Sequence, residues 1–186
     1  MSRYNSTIAI VINKRKIRES DLLITLLTPD QGKILALAKG VQNIRSNRLG
    51  SLQLGNTIKV QLYTKNENSW ISEAQTITQF LQNEKSLTQV NLLFYFLEIL
   101  NHFIADNQQI EGVFPISQKI IQSINQNQFK KYILNEMNFI KILGFGLPPD
   151  IEKYYEKEDF RTAQNLIRGF LETIIEKPLE SNKLFQ

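Results

Sequence analysis

The amino-acid sequence predicts an α+β protein, with an N-terminal five-stranded OB-fold β-barrel over residues 1–80 and an α-helical domain over residues 81–186. The first eighty residues contain five short runs of β-branched and aromatic residues, bounded by polar or glycine-containing stretches. A long connection separates the third run from the fourth, as in an OB barrel, and an SH3-like barrel is the nearest alternative. After Leu81 apolar residues recur every three or four positions, which is the period of an amphipathic helix.

The predicted strands are defined by their alternation and by the turn residues between them. In the fourth run Ile58, Val60 and Leu62 alternate with polar neighbours, so one face should lie on a core. The second and third runs are apolar on both faces and should be central. Between them Pro29 and Gly32 predict a tight hairpin, because proline fixes φ at a first corner and glycine accepts a left-handed conformation. The five runs are Thr7–Ile12, Leu22–Thr28, Lys33–Lys39, Thr57–Tyr63 and Ser69–Ile77.

Four helices are predicted in the second half from the spacing of apolar residues. Ser86 is a suitable N-cap for the first of them, which should be mostly buried because its apolar side chains are so numerous. The third should end at Gly144, and the two glycines and two prolines of GFGLPPD then predict an irregular break. The four segments are Leu87–Asp106, Ile116–Ile124, Phe129–Leu143 and Phe160–Glu176.

Composition excludes several classes of protein. The chain has 186 residues, of which 42% are hydrophobic, and this is enough for one large packed domain or two small ones. It has no apolar run of eighteen residues and no secretory signal at its N-terminus, so we expect a soluble, cytoplasmic protein. Without cysteine, and with His102 as its one histidine, it cannot form disulfides and is a poor candidate for zinc.

Basic residues are concentrated in the first half of the chain. The overall net charge is +4, but residues 1–80 hold eleven basic against five acidic residues, a net +6, while residues 81–186 hold eleven against thirteen, a net −2. This asymmetry indicates a polyanionic partner for the first half. The candidate binding residues are Lys14, Arg15, Lys16, Arg18, Lys33, Lys39, Arg45 and Arg48.

Most of these basic residues fall in two predicted loops. Lys14 to Arg18 lie between the first and second predicted strands, and Arg45 and Arg48 lie in the long connection after the third. In an OB barrel such loops flank a groove whose floor is the second and third strands, so both sets could line one surface. Phosphate contacts there would make binding strongly salt-dependent. Few aromatic residues are available, and we interpret Trp70 as a possible core residue, so binding led by the DNA or RNA backbone is expected.

No catalytic or metal-binding constellation is recognised, so we predict no enzyme, no metal and no cofactor. His102 follows Glu98 by four residues, but no nucleophile accompanies it, and a helix-surface pair is the better interpretation. The acids from Asp150 to Asp159 alternate with lysines and are interpreted as a self-paired surface. The glycines of GFGLPP lack the strand and helix that a dinucleotide-binding loop requires.

The stretch RKIRESDLLITLLTPDQGKILALAKGVQNIRSNRLGSLQ, from Arg15 to Gln53, resembles the N-terminal signature of the RecO family of bacterial DNA repair and recombination mediators. The C-terminal LIRGFLETIIEKPLESNKLF is also similar to the closing helix and basic-serine tail of that family. The resemblance implies an OB-fold domain followed by a helical domain. In order, the matching parts are Arg15 or Arg18, Glu19-Ser20-Asp21, Leu26-Leu27-Thr28, Gly32-Lys33, Ala38-Lys39-Gly40, and Arg45-Ser46 with Arg48.

The resemblance also implies a function. A family member would bind single- and double-stranded DNA, anneal complementary strands, and work with RecR and single-stranded-DNA-binding protein to load the RecA recombinase. Many members carry a four-cysteine zinc module, but GFGLPPDIEKYYEKEDF occupies that place here without cysteine, so no zinc is expected and the helical domain should be short. Two alternatives remain, an RNA-binding OB-fold protein and a protein adaptor whose basic residues serve solubility.

Overall fold

The computed structural model describes residues 3–42, 48–80 and 85–181. The elements in these ranges follow the predicted order of strands and then helices. They are β1 (Arg3–Lys16), β2 (Leu22–Thr28), β3 (Gly32–Ala38), α1 (Arg48–Ser51), β4 (Thr57–Lys65), β5 (Asn68–Thr78), α2 (Leu87–Phe103), α3 (Val113–Asn125), α4 (Phe129–Ile142), α5 (Pro149–Glu156) and α6 (Phe160–Ile175).

The five strands form a closed barrel in the order β1-β2-β3-β5-β4. Long β1 pairs antiparallel with both β2 and β4, which closes the barrel. The contact between β3 and β5 is parallel and joins Leu37 to Trp70. This strand order, with a short helix between β3 and β4, is that of an OB fold. The predicted fold class, an OB-fold barrel followed by helices, is confirmed.

The barrel core is built from alternate residues of each strand. In β4 the side chains of Ile58, Val60 and Leu62 are buried, while Lys59 between them is exposed, as the period of two predicts. Two residues of the long connection, Val41 and Leu52, complete the core. The other core residues are Ala9, Val11, Leu22, Ile24, Leu26, Ile34, Ala36, Ala38 and Ile71.

The predicted hairpin between β2 and β3 is confirmed. Thr28 pairs with Gly32, and Gly32 has a φ of +66°, the left-handed conformation that glycine adopts without strain. The Thr28 hydroxyl holds the turn from inside. It accepts a hydrogen bond from the Gln31 backbone N–H at 3.1 Å and donates one to the Gly32 carbonyl, also at 3.1 Å.

A distant segment, Phe103–Gln109, joins the barrel, and we call it the barrel strap. The Asn107 backbone N–H donates to the Lys33 carbonyl at 2.7 Å, and the Gln109 side-chain amide donates to the Pro29 carbonyl at 2.8 Å. The strap corrects the helix predicted from Leu87 to Asp106. The helix α2 ends at Phe103, because the next residues leave the helical path to bond with β3, and Asn107 takes a φ of +58°.

Contacts divide the chain into two compact units, one of Met1–Glu84 with the strap and one of Lys85–His102 with Ile110–Gln186. The strap was not predicted.

Two boundaries in the helical unit follow known capping rules. The Ser86 hydroxyl accepts from the Gln89 backbone N–H at 3.2 Å, while the Gln89 side chain accepts from the Ser86 N–H at 3.1 Å, which is a capping box. Gly144, with a φ of +86°, terminates α4 as predicted.

The predicted break after Gly144 is present over residues 145–148, and a helix that was not predicted, α5, follows it. It begins at Pro149, because proline at the first helical position has a suitable fixed φ and loses no hydrogen bond there. Next along the chain, Asp159 caps α6 by accepting from the Thr162 backbone N–H at 3.1 Å. Among the described residues, no helix has both the length and the apolar character needed to span a bilayer.

Candidate nucleic-acid interface

The basic residues Lys14, Arg15 and Lys16 lie at the end of β1, not in a loop as predicted. They pair in register with Ile24, Leu23 and Leu22 of β2. A register shift between Val11 and Asn13 precedes them, and the strand then continues through a polar sequence. The sequence pattern missed this extension because its polar residues do not alternate with apolar ones. The extension is a strand because its backbone pairs with the apolar strand β2.

Strand register decides the direction of each of these side chains. Lys14 and Lys16 lie opposite the core residues Ile24 and Leu22, so they are on the inner face of the sheet at the end of the barrel. Arg15 is on the outer face, opposite Leu23. The Lys14 ammonium donates to the Gln53 side-chain oxygen at 2.7 Å, and partial burial lowers its pKa.

The loop after β1 and the loop after β3 are bonded to each other at one rim of the barrel. The Asp21 carboxylate accepts from the Gly40 backbone N–H at 2.8 Å, and the Ser20 carbonyl accepts from the Gln42 N–H at 3.2 Å. These bonds bring together basic residues that are distant in sequence. We call this surface the basic rim; its members are Lys14, Arg15, Lys16, Arg18 and Lys39, of which all but Lys14 are exposed.

Two of the other candidate residues have structural roles. The Arg48 guanidinium donates to the Ile71 carbonyl at 2.7 Å and to the Lys39 carbonyl at 2.8 Å, so it clamps β5 to the end of β3. Lys33 is buried, and its ammonium lies 3.2 Å from the Asp106 carboxylate of the strap. Lys33 is therefore inaccessible to a large ligand and lies outside the candidate interface. Arg45 lies outside the described residues.

A cavity of about 720 Å³ lies over β2 and β3, where the groove of an OB barrel is expected. Leu23, Leu35 and Leu37 line it, together with Ile17 from the loop after β1 and Trp70 from β5. Polar side chains complete the lining, among them the acidic Glu67 and Asp106, so the groove is mixed rather than apolar. The basic rim flanks it, since Arg15 shares the outer face with Leu23 and Arg18 follows Ile17.

Trp70 lies on the outer surface of the barrel, which corrects its interpretation as a possible core residue. Its neighbour Ile71 is in the core, and adjacent residues of a strand point to opposite faces. Trp70 is half-buried, and the Lys39 ammonium lies 5.8 Å from its ring centroid, within range of a cation–π contact. The alternation of Trp70 with an apolar isoleucine was the available sequence signal for this placement.

The rival sites considered from sequence have structural explanations. Glu98 lies 3.9 Å from His102 and accepts backbone N–H bonds from Glu180 at 2.7 Å and Ser181 at 3.0 Å, so it anchors the C-terminal segment. In the acidic stretch, Glu152 pairs with Lys141 at 2.8 Å. Within the described ranges, no cluster of three or more His, Cys, Asp or Glu residues could hold a metal ion.

A closed five-stranded barrel of this order, with basic loops bonded together at one rim, defines an OB-fold protein. Residues 1–80 match the family described as Recombination protein O N terminal. This match covers the barrel part of the chain, and the resemblance to the RecO family seen between Arg15 and Gln53 is confirmed.

Curated relatives extend the similarity into the helical unit. The DNA repair protein RecO of Dehalococcoides mccartyi strain CBDB1 is 27% identical over 147 residues, covering 79% of this chain and 58% of that protein. A RecO from another strain of that species, strain 195, is 30% identical over 119 residues, covering 64% and 47%. The RecO of Chloroherpeton thalassium is 28% identical over 146 residues, covering 76% and 56%. The chain thus spans about half the length of these relatives.

Proposed function

We propose that this protein is a non-enzymatic DNA repair and recombination mediator that binds single- and double-stranded DNA and anneals complementary strands. The observation that carries the proposal is the basic rim, where hydrogen bonds between two loops bring Arg18 and Lys39 together with the basic end of β1. The names of the relatives, each a DNA repair protein RecO, support the repair context.

The exposed cations of the basic rim suit the phosphates of a nucleic-acid backbone. Arg15, Lys16 and Arg18 are exposed side chains with long flexible stems, and only Glu19 and Asp21 bring acidic charge to the same stretch. Asp21 already accepts the Gly40 N–H. Each phosphate that such a cation neutralises releases condensed counterions, which drives binding without reading base sequence. Neutralising two strands on one surface lowers the repulsion between them and lets them pair.

The barrel unit would serve as the nucleic-acid-binding domain and the helical unit as the docking domain for protein partners. In this proposal the partners are RecR and single-stranded-DNA-binding protein, and the outcome is loading of RecA on coated single strands. This activity needs no covalent step, metal or cofactor, because it consists only of binding DNA strands and letting them pair. The protein would act in the cytoplasm, where the chromosome of a bacterium lies.

Annealing of complementary strands coated with single-stranded-DNA-binding protein tests the proposed function. We expect the protein to accelerate annealing, measured by the fluorescence of an end-labelled duplex, and the acceleration to fall as salt rises. RNA strands of the same sequence, used as competitor, test the alternative of an RNA-binding protein. If the protein does not change the annealing rate at low salt and binds neither DNA nor RNA, the proposal is contradicted and a protein adaptor is favoured.

A further inference from the structure

Three aromatic side chains from different strands form a continuous row on the outside of the barrel. Tyr4 of β1 lies directly opposite Tyr63 of β4, and Tyr63 lies opposite Trp70 of β5. Their ring centroids are 5.0 Å and 5.7 Å apart, with tilts of 45° and 39° between the planes. We call these three residues the aromatic row.

The aromatic row belongs to the surface of the barrel. The residues next to Tyr63 and Trp70, Leu62 and Ile71, point into the core, so both aromatic rings point outward. Tyr4, at the far end, is 66% exposed. Cross-strand aromatic pairs stabilise a sheet modestly, but such pairing does not require a ring that is left mostly in water. A row of accessible rings is a surface on which flat, apolar groups can stack.

The aromatic row begins at the basic rim. Trp70 is its end member, and the ammonium of Lys39, a rim residue, lies 5.8 Å from the Trp70 ring centroid. Trp70 also lines the groove over Leu23 and Leu37, so rim, groove and row are continuous. Cations beside stackable rings match a ligand that carries phosphates on one side and planar bases on the other. The acidic Glu67 lines the same groove as Trp70 and would repel phosphates, so the phosphates are expected on the basic rim rather than beside Glu67.

From this juxtaposition we infer that Tyr4, Tyr63 and Trp70 stack on the unpaired bases of a single DNA strand whose phosphates lie on Lys39 and the basic rim. The inference rests on the proposed function and adds a base-binding surface to it. Bases within a duplex are stacked on one another and cannot reach the rings. The row therefore distinguishes single strands from duplex, whereas the rim binds both.

The single tryptophan of the chain is Trp70, so its fluorescence reports this surface directly. The wild-type protein is titrated with oligothymidylate of about 15 nucleotides and with an abasic oligomer of equal phosphate number, while binding is followed separately by anisotropy of labelled DNA. We expect oligothymidylate to quench Trp70 and the abasic oligomer to bind without the same quenching. Binding of oligothymidylate without quenching overturns the inference and leaves the proposed function standing. Failure of every DNA to bind overturns both.

Substitutions separate stacking from a structural role of the rings. Tyr63→Leu is expected to weaken binding of oligothymidylate between about fivefold and about 150-fold, the range for loss of one base–aromatic stack, and to leave duplex affinity unchanged. Tyr63→Phe keeps the ring and should retain wild-type affinity. Phe94→Leu removes an exposed aromatic ring of α2 as the matched control. Equal losses for single strands and duplex in Tyr63→Leu would overturn the inference, since they would indicate a general defect of the barrel.

Discussion

Replacing Gly32 by alanine is expected to lower the free energy of unfolding of the barrel unit by about 3 kcal/mol or more. Gly32 has a φ of +66°, which a side chain disfavours, and an added Cβ would collide with the backbone carbonyl of Gln108 in the strap. Moving the strap away would break the bond from the Asn107 N–H to the Lys33 carbonyl and separate Lys33 from Asp106. Urea unfolding followed by Trp70 fluorescence measures the loss.

Gly50→Ala is the matched control for this substitution. Gly50 is in α1, has no atom within 4 Å of an added Cβ, and lacks a positive φ, so alanine should be neutral or slightly stabilising. A Gly32→Ala protein as stable as the Gly50→Ala protein would show that the strap does not pack on the hairpin as described.

Replacing Glu136 by glutamine is expected to remove a large pH dependence from the stability of the helical unit. Glu136 lies on α4 and is fully buried, without a hydrogen bond of good geometry to either carboxyl oxygen. Burial raises its pKa to about 7, and the hydroxyls of Tyr95 and Tyr132 and the charge of Arg168 offset this only in part. A buried carboxyl of this kind favours its protonated form.

The direction of the effect follows from the raised pKa. The folded protein binds the Glu136 proton more tightly than the unfolded chain, so stability is greatest below the ordinary value of 4.5 and falls as pH rises towards 7. Between pH 5 and pH 8 the wild type should lose roughly 2 to 3 kcal/mol of stability from this group. Glu136→Gln should not lose it, and should be the more stable protein at pH 8.

Urea unfolding followed by far-ultraviolet circular dichroism at pH 5 and pH 8 measures this difference. Glu111→Gln is the control, because Glu111 is an exposed carboxylate of the same unit. Its replacement should not change how the free energy of unfolding depends on pH. Parallel pH profiles for the wild type and Glu136→Gln would contradict the assignment of a raised pKa to the buried carboxyl.

The sequence predicted the strands and most helices well because their apolar residues recur with a clear period. The segment Leu22–Thr28 was predicted with the bounds that the structure has. The sequence pattern could not reveal elements that depend on bonds with a distant part of the chain. The polar end of β1 is a strand because β2 pairs with it, and α2 ends early because the strap bonds with β3. The start of α5 at Pro149 was missed because two prolines were interpreted only as a break.

The candidate interface stays a prediction, but the structure shows where its residues lie. Charge asymmetry selected the candidate basic residues, but it could not distinguish an exposed Arg18 from Lys33, whose partner Asp106 lies far along the chain. Charge also gave no sign that Arg48 bonds with two backbone carbonyls. The aromatic row was missed because Tyr4 precedes the first predicted strand, and only the observed register places it beside Tyr63.

DNA binding through the basic rim is tested most directly by a triple variant, Arg15→Ala, Lys16→Ala and Arg18→Ala. These side chains are exposed, so their loss should leave the fold intact. The affinity for oligothymidylate is measured at several salt concentrations between about 50 and 200 mM, where phosphate contacts determine the slope of log affinity against log salt. With three phosphate contacts removed, the slope should become shallower by about 2.

A variant with the same change of net charge on the helical unit, Lys131→Ala, Lys153→Ala and Lys157→Ala, is the control. We expect the rim variant to bind more weakly and with the shallower slope, while the control retains the affinity and slope of the wild type. If the two variants give the same affinity and the same slope, the basic rim is not where this protein binds DNA.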